Sequence, residues 1–290
     1  MGELSYHNQA ALVIGAGISG FAAAKYLAAA GARVMLSDAK EEADAEKDAS
    51  AQKHIEELRA QGISCVFGAQ REELLDGIDL VVLSPAVPER IPLVQAAYAR
   101  GIRVTTEVEL AGETARAPIC AVTGTNGKTT TTTLLGELLR AHFPAVGVGG
   151  NIGVPLIDVA QEIPADGAIA AEISSYQMEA TAHFHAHIAA ELNVTPDHIV
   201  RHGSMEVYQA MKEKLFAEQT AEDFLVLNDD DPHTRGMADR AKGRVCFFSR
   251  RRELEEGACV RADGMIILRW DGTEHVLIPA KELGIRGGHN

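Results

Sequence analysis

The chain has 290 residues, 46% of them hydrophobic and 5% aromatic, and a formal net charge of −14 from 27 basic and 41 acidic side chains. That length suits two domains, each able to bury a core, and the Ala-, Gly- and Val-rich apolar set favours α/β layers over an aromatic β-sandwich. The acidity, relieved only by the short Arg250-Arg251-Arg252 run, excludes general nucleic-acid binding, and four scattered cysteines exclude a disulfide framework or a zinc knuckle.

The opening "MGELSYHNQAALVIGAG" has no basic region before its short apolar run, and no run approaches the ~20 residues of a membrane span. A soluble, cytoplasmic monomer acting on small molecules is expected, away from membranes and nucleic acid. "AALVI" (residues 10–14) reads as a buried strand, followed by a glycine turn and a helix through "FAAAKYLAAAG". "RVMLSD" is a second strand ending in Asp38. Lys40 to Gln61 reads as one polar helix, "ISCVF" as a third strand, and "IDLVVLSPAVP" as a fourth that stops in a Pro-bracketed loop. A helix from Pro92 to Arg100 and the strand "IRVTT" complete the first unit. "AGETARAPI" carries no strand pattern, which places a boundary near residue 116 and predicts domains 1–116 and 117–290.

A second series follows, in which "ICAVTG", "AVGVGG", "AIAAEISS", "HIAAELNV" and "FLVLNDDD" are apolar strands ending in polar residues. "VCFFS", "CVRADGMIILRW" and "EHVLIP" read as shorter antiparallel strands around the Asp263-Gly264 and Asp271-Gly272 turns. The alternation of strands and helices predicts an α/β fold: a Rossmann-like parallel sheet, then a P-loop-type α/β domain with a small antiparallel region.

Gly15-Ala16-Gly17-Ile18-Ser19-Gly20 matches G-x-G-x-x-G between a strand and a helix, with Asp38 at the end of the next strand. Glycines there let backbone amides and a helix N-terminus approach a diphosphate. The motif does not choose among NAD, FAD and a nucleotide sugar, and a tight turn without a ligand would use the same residues. Val122 to Thr129, "VTGTNGKT", also joins a strand to a helix. Its amides can cradle phosphates, Lys128 can reach β- and γ-phosphates, and the Thr129 hydroxyl can hold Mg²⁺. The first glycine of the longer G-x-x-x-x-G-K-[ST] pattern is replaced by Val122.

Three residues place chemistry near that loop. Glu172 interrupts "AIAAEISS" near a strand's carboxyl end, where α/β proteins place ligand contacts; a buried acid needs a metal, a donor or a salt bridge. His198, in "LNVTPDHI", follows another strand, a position as often structural as functional. In "VYQAMKEKLF", Tyr208, Met211, Leu215 and Phe216 follow helical spacing, and Lys212 falls within their apolar stripe. Lys214 is rotated about 200° from Lys212. An inward lysine either snorkels to the surface or is paired or chemically altered at a site.

Taken together, "GAGISG", "SPAVP", "TGTNGKTT", "GGNIGVPL", "AEISSYQME", "LNVTPDHIVRHGS", "YQAMK" and the final "GGHN" resemble the Mur ligase family, in the family's order. The pairing of "GGNIG" with "EISSYQ" resembles its D-glutamate-adding branch. The resemblance accounts for Val122, since the family's loop has the shorter G-x-x-G-K-T form. It implies that the first domain binds a UDP-substrate through Gly17, Ile18, Ser19, Asp38 and Ala86, with Asn151 and Ser174 near its muramoyl-alanine part. It implies that Gly124, Thr125, Asn126, Gly127, Lys128, Thr129 and Thr130 hold the phosphates of ATP, with Asn290 at the adenine. Thr129 and Glu172 would bind one Mg²⁺, and His198 with a carbamylated Lys212 a second, Mn²⁺ being an allowed substitute. Lys128, Glu172, His198 and Lys212 are thus the catalytic set it implies.

The reaction implied is ATP-dependent ligation of D-glutamate to UDP-N-acetylmuramoyl-L-alanine through an acyl phosphate, in peptidoglycan precursor synthesis. The family also has a C-terminal domain that contributes most D-glutamate contacts. This chain stops at "GGHN", so a fragment is expected. The alternatives are a UDP-sugar and ATP binding module without turnover, a related Mur or folylpolyglutamate-type ligase, or a dinucleotide oxidoreductase. The last leaves Lys128, Glu172 and Lys212 unexplained.

Overall fold

The computed structural model describes residues 6–45, 47 and 49–284. The first sheet takes its strands from β1 (Ala10–Ile14), β2 (Arg33–Asp38), β3 (Ser64–Phe67), β4 (Leu80–Leu83) and β5 (Arg103–Thr106), in the order β3-β2-β1-β4-β5 and all parallel. β1 and β4, at the centre, are buried along their whole length, as strands covered on both faces must be. The helices are α1 (Ile18–Ala29), α2 (Glu42–Ala45), α3 (Ala49–Ala60), α4 (Pro92–Ala99) and α5 (Glu107–Thr114). Two expectations are corrected here. The polar stretch from Lys40 to Gln61 forms two helices, and α5 occupies the start of the segment from which the sequence suggested a boundary.

The second sheet has nine strands: β6 (Ile119–Thr123), β7 (Val146–Gly150), β8 (Ala168–Glu172), β9 (Ile188–Glu191), β10 (Phe224–Asn228), β11 (Arg244–Ser249), β12 (Gly257–Val260), β13 (Met265–Trp270) and β14 (Thr273–Pro279). Their order is β14-β13-β12-β11-β10-β9-β6-β8-β7. The helices after β6 are α6 (Lys128–Arg140), α7 (Leu156–Glu162), α8 (Ile199–His202), α9 (Met205–Ala217) and α10 (Pro232–Gly236). Residues 244–249 were expected in the antiparallel region. Instead β11 runs parallel to β10 and to β12, and the β12–β13 and β13–β14 pairings are antiparallel. An apolar five-residue run does not reveal the direction of its neighbour, which the connection decides.

By internal contacts the chain forms two compact units. Unit 1 contains Met1–Arg116 and two later stretches, Gly149–Pro164 and Tyr176–Phe184; unit 2 contains Ala117–Val148, Ala165–Ser175 and His185–Asn290. α7 therefore packs with α1 and α5. No described helix is long and apolar enough to cross a membrane.

Candidate functional sites in the two units

Unit 1 carries a cleft of about 580 Å³ at the carboxyl ends of its central strands. Gly15, Gly17, Ile18 and Ser19 line one part, and Asp38, Gln70 and the Ser84–Pro88 loop, with Ala86, the rest. The turn is tight because a Cβ at Gly20 would run into the Gly15 carbonyl oxygen, which also accepts from Ser84 Oγ at 2.9 Å. Gly17 caps α1 with no side-chain cap of its own, and the first-turn amides of a helix are groups that bind anions. The Asp38 carboxylate accepts from the Ala16 amide at 2.8 Å and the Lys40 amide at 2.9 Å. Asp38 therefore shapes the turn as well as lining the cleft. Asn151, also in unit 1, is exposed in the loop between β7 and α7.

In unit 2 the Gly124–Thr130 loop leaves β6 and opens α6, with Gly127 as its N-cap at φ 86°, a left-handed conformation that favours glycine. The loop is laced to the segment after β9. The Thr125 amide donates to the Asn193 carbonyl at 2.9 Å, the Asn126 amide to Asn193 Oδ1 at 2.9 Å, and Asn193 Nδ2 back to the Asn126 carbonyl at 3.0 Å. Thr125 Oγ1 lies 3.1 Å from the Tyr208 hydroxyl. Lys128 Nζ curls onto the carbonyls of Gly124 and Thr125 at 2.9 and 3.0 Å. Thr129 Oγ1 donates to Glu172 Oε2 at 2.7 Å, so the loop hydroxyl and the buried strand-end acid are in contact. Thr130 is exposed in the first turn of α6, and Ser174 is half-buried just beyond β8.

Lys212 is 2% exposed and does not snorkel. Its Nζ donates to Thr123 Oγ1 at 3.2 Å and lies 4.9 Å from the centre of the Tyr208 ring. Beside it stands a residue the sequence reading passed over. Glu191, opposite Thr123 across β6 and β9, is fully buried, and neither carboxylate oxygen has a hydrogen-bond partner. Burial pushes its carboxyl well above the usual carboxylate range, against the pull of the Lys212 charge. Burial likewise pushes the Lys212 ammonium down, opposed by Glu191 and reinforced by Lys128. The signal for Glu191 was in the sequence: an acid interrupting "HIAAELNV" is as conspicuous as Glu172 in "AIAAEISS".

His198 is exposed, with φ 54°, and its amide donates to Asp197 Oδ1 at 2.8 Å. Its ring centre is 6.2 Å from that of Tyr208, so His198 and Lys212 both approach this tyrosine. Asn290 lies outside the described residues. Among the described residues no group of three or more His, Cys, Asp or Glu could hold a metal by itself.

Unit 1 thus carries a glycine turn beside a cleft, and unit 2 a glycine-rich loop whose threonine meets a buried acid. The chain belongs to the Mur ligase family: residues 122–289 match the Mur ligase middle domain, and residues 9–106 the MurD-like N-terminal domain of Mur ligases. Among its relatives, the UDP-N-acetylmuramoylalanine–D-glutamate ligase of Pelotomaculum thermopropionicum is 45% identical over 279 residues, covering 96% of this chain and 60% of its own length. The protein of the same name from Thermoanaerobacter sp. (strain X514) is 42% identical with the same coverage. The chain thus spans about 60% of the length of these curated relatives. Among solved structures, UDP-N-acetylmuramate:L-alanyl-γ-D-glutamyl-meso-diaminopimelate ligase from Neisseria meningitides shares the fold at TM-score 0.60 and 20% identity, over 97% of this chain and 89% of that one. UDP-N-acetylmuramate–alanine ligase from Thermotoga maritima does so at TM-score 0.53 and 20% identity, over 93% and 60%.

Proposed function

We propose that the chain supplies the UDP-substrate- and ATP-binding parts of an ADP-forming ligase that joins D-glutamate to UDP-N-acetylmuramoyl-L-alanine in the cytoplasm. The observation that carries this reading is the Thr129–Glu172 hydrogen bond at the mouth of the phosphate loop, in the same unit as the buried Lys212. The names of the relatives support the choice of amino acid and of UDP-sugar.

In unit 1 the Gly17–Ser19 turn and the loop around Ala86 would receive the UDP diphosphate on backbone amides, with Asp38 holding the turn from behind. Asn151, in the same unit, would meet the muramoyl-alanine part. In unit 2 the amides from Gly124 to Thr130 would cradle the phosphates of ATP. Lys128 would exchange its two carbonyl partners for β- and γ-phosphate oxygens. Thr129 and Glu172 offer hard oxygen donors already in contact, which suits Mg²⁺, an ion usually held by one or two carboxylates plus phosphate oxygens. A carbamylated Lys212 with His198 would hold a second. Bound Mg²⁺, or Mn²⁺ in its place, would neutralise the anions that must meet.

The alanine carboxylate would attack the γ-phosphate, giving an acyl phosphate and ADP; the amine of D-glutamate would then displace phosphate to form the amide. Lys128 would stand where charge develops in the first step, which is where a fixed cation lowers the barrier. The test is phosphate release that requires ATP, UDP-N-acetylmuramoyl-L-alanine and D-glutamate together. Release without D-glutamate dependence refutes the proposed acceptor, and binding of both nucleotides without release marks a binding module.

A further inference from the structure

The first turn of α5 holds two acids that none of this chemistry uses. Glu107 and Glu109 are each 2% exposed, and the N-cap Thr106 is buried beside them. Buried carboxylates need donors; Arg103 reaches Glu109 from nearby, and the backbone amides that serve both acids come from far along the chain. Glu109 accepts from the backbone amides of Ala182 and His183, and Thr106 Oγ1 lies 2.7 Å from Thr181 Oγ1. Glu107 Oε1 accepts from the Ile157 amide at 2.7 Å, and the Leu156 amide also serves its carboxyl.

Leu156 and Ile157 are the first two residues of α7, directly after the loop that carries Asn151. The Gly150 amide, donating to the Val154 carbonyl at 2.8 Å, closes the neck of that loop, and Glu107 ties down its exit. The second oxygen of Glu107 is buried and has no partner. A side chain serving only as a backbone anchor gains nothing from that idle oxygen, and a neutral amide would serve the same amides at less desolvation cost.

We propose that Glu107 is a positioning residue for the substrate: its buried carboxyl holds the Gly149–Pro155 loop so that Asn151 stands where the muramoyl-alanine end of the UDP-substrate arrives. This rests on the substrate reading above. Burial, with Asp158 of α7 adding to it and the two amides opposing it, brings the Glu107 carboxyl up to about 7. Asp158 in turn faces Lys25 of α1 and Glu162 of α7. The hold on the loop is therefore strongest in its charged form above pH 7, whereas folding favours the neutral form below it.

The test compares wild type, Glu107→Ala and Glu107→Gln by hydrogen–deuterium exchange of the ligand-free chain and by calorimetric binding of UDP-N-acetylmuramoyl-L-alanine at pH 6 and pH 8. In Glu107→Ala, amides 151–157 should exchange about tenfold faster and affinity should fall about tenfold, the scale of a lost buried hydrogen bond. Glu107→Gln keeps an acceptor in place, so its exchange and affinity should stay within about twofold of wild type at pH 6, without the wild-type change between pH 6 and 8. Loosening of 151–157 supports the hold on the loop even without ligand. Uniform exchange across unit 1 with unchanged affinity overturns the proposal, as does a pH response in Glu107→Gln equal to that of wild type. If the wild-type chain does not bind the UDP-substrate at all, the substrate reading falls, while the exchange result still decides whether Glu107 holds the loop.

Discussion

Lys212 and Glu191 form a buried pair without a direct hydrogen bond, and a double-mutant cycle should expose their dependence on each other. Glu191 is fully buried and both of its oxygens lack partners, so burial favours its neutral form and only the nearby Lys212 ammonium pulls the other way. Lys212 keeps its hydrogen bond to Thr123 and the face of Tyr208. Lys212→Met leaves Glu191 neutral but with no donor, which should cost about 1–3 kcal/mol, the penalty of an unsatisfied buried polar group. Glu191→Leu should cost less, because the Tyr208 ring retains about 1–2 kcal/mol of attraction for the cation. The double variant, with no charge left to bury, should return to within about 1 kcal/mol of wild type. At about 2–4 °C per kcal/mol for a unit of this size, Lys212→Met should lower the midpoint by roughly 2–12 °C. Trp270, the single tryptophan, lies in unit 2 with Arg244 stacked 3.7 Å from its ring, so its fluorescence follows this unit during urea unfolding. Additive losses in the double variant would refute the coupling, and so would a Lys212→Met protein as stable as wild type.

Thr129→Ala and Glu172→Gln should each lower the rate of ATP-dependent phosphate release by about 10²–10³, the scale of a lost electrostatic stabiliser. Unchanged release in either would remove that contact from the site. Lys212→Ala should abolish release and regain part of it with added short carboxylates, while Lys214→Ala stays near wild type; equal behaviour would refute a special role for Lys212. Burial alone would raise the Asp223 carboxyl, but hydrogen bonds from His185, His187 and Thr220 hold it down at about 2. Its stabilisation is present above about pH 4 and is lost as the pH falls through 2. Asp223→Asn should therefore lower stability at neutral pH by on the order of 2 kcal/mol and flatten the acid limb of the stability curve, which unfolding between pH 2 and 7 measures.

The strands were legible because each is an apolar run closed by polar or glycine residues, and β1, β2, β4 and β6 begin or end within a residue or two of where the pattern puts them. α5 was not, since its buried face includes two glutamates that read as solvent-facing. A local signal was nevertheless present: Thr106 and Glu109 stand three apart like a capping box, and the Glu109 amide does donate to Thr106 Oγ1 at 3.3 Å. Glu172 stood out as an acid in an apolar strand, and the same argument applied to Glu191 would have found it. What no local pattern carries is the membership of residues 149–164 and 176–184 in unit 1, because that is decided by side chains at 106, 107 and 109 meeting partners 50 or more positions away.

That return of the chain has a consequence during synthesis. When Arg116 has just left the ribosome, the α5 acids have none of the amides that satisfy them, and the surface that receives α7 is bare. At ~5–20 residues per second, several seconds pass before Phe184 emerges and the last of these partners is available. Through that interval the first sheet is an incomplete body with buried-to-be carboxylates facing water. Unit 1 therefore finishes folding only after β6, α6, β7 and β8 of the second sheet have been made, which makes the two units' completion interleaved in time as it is in sequence.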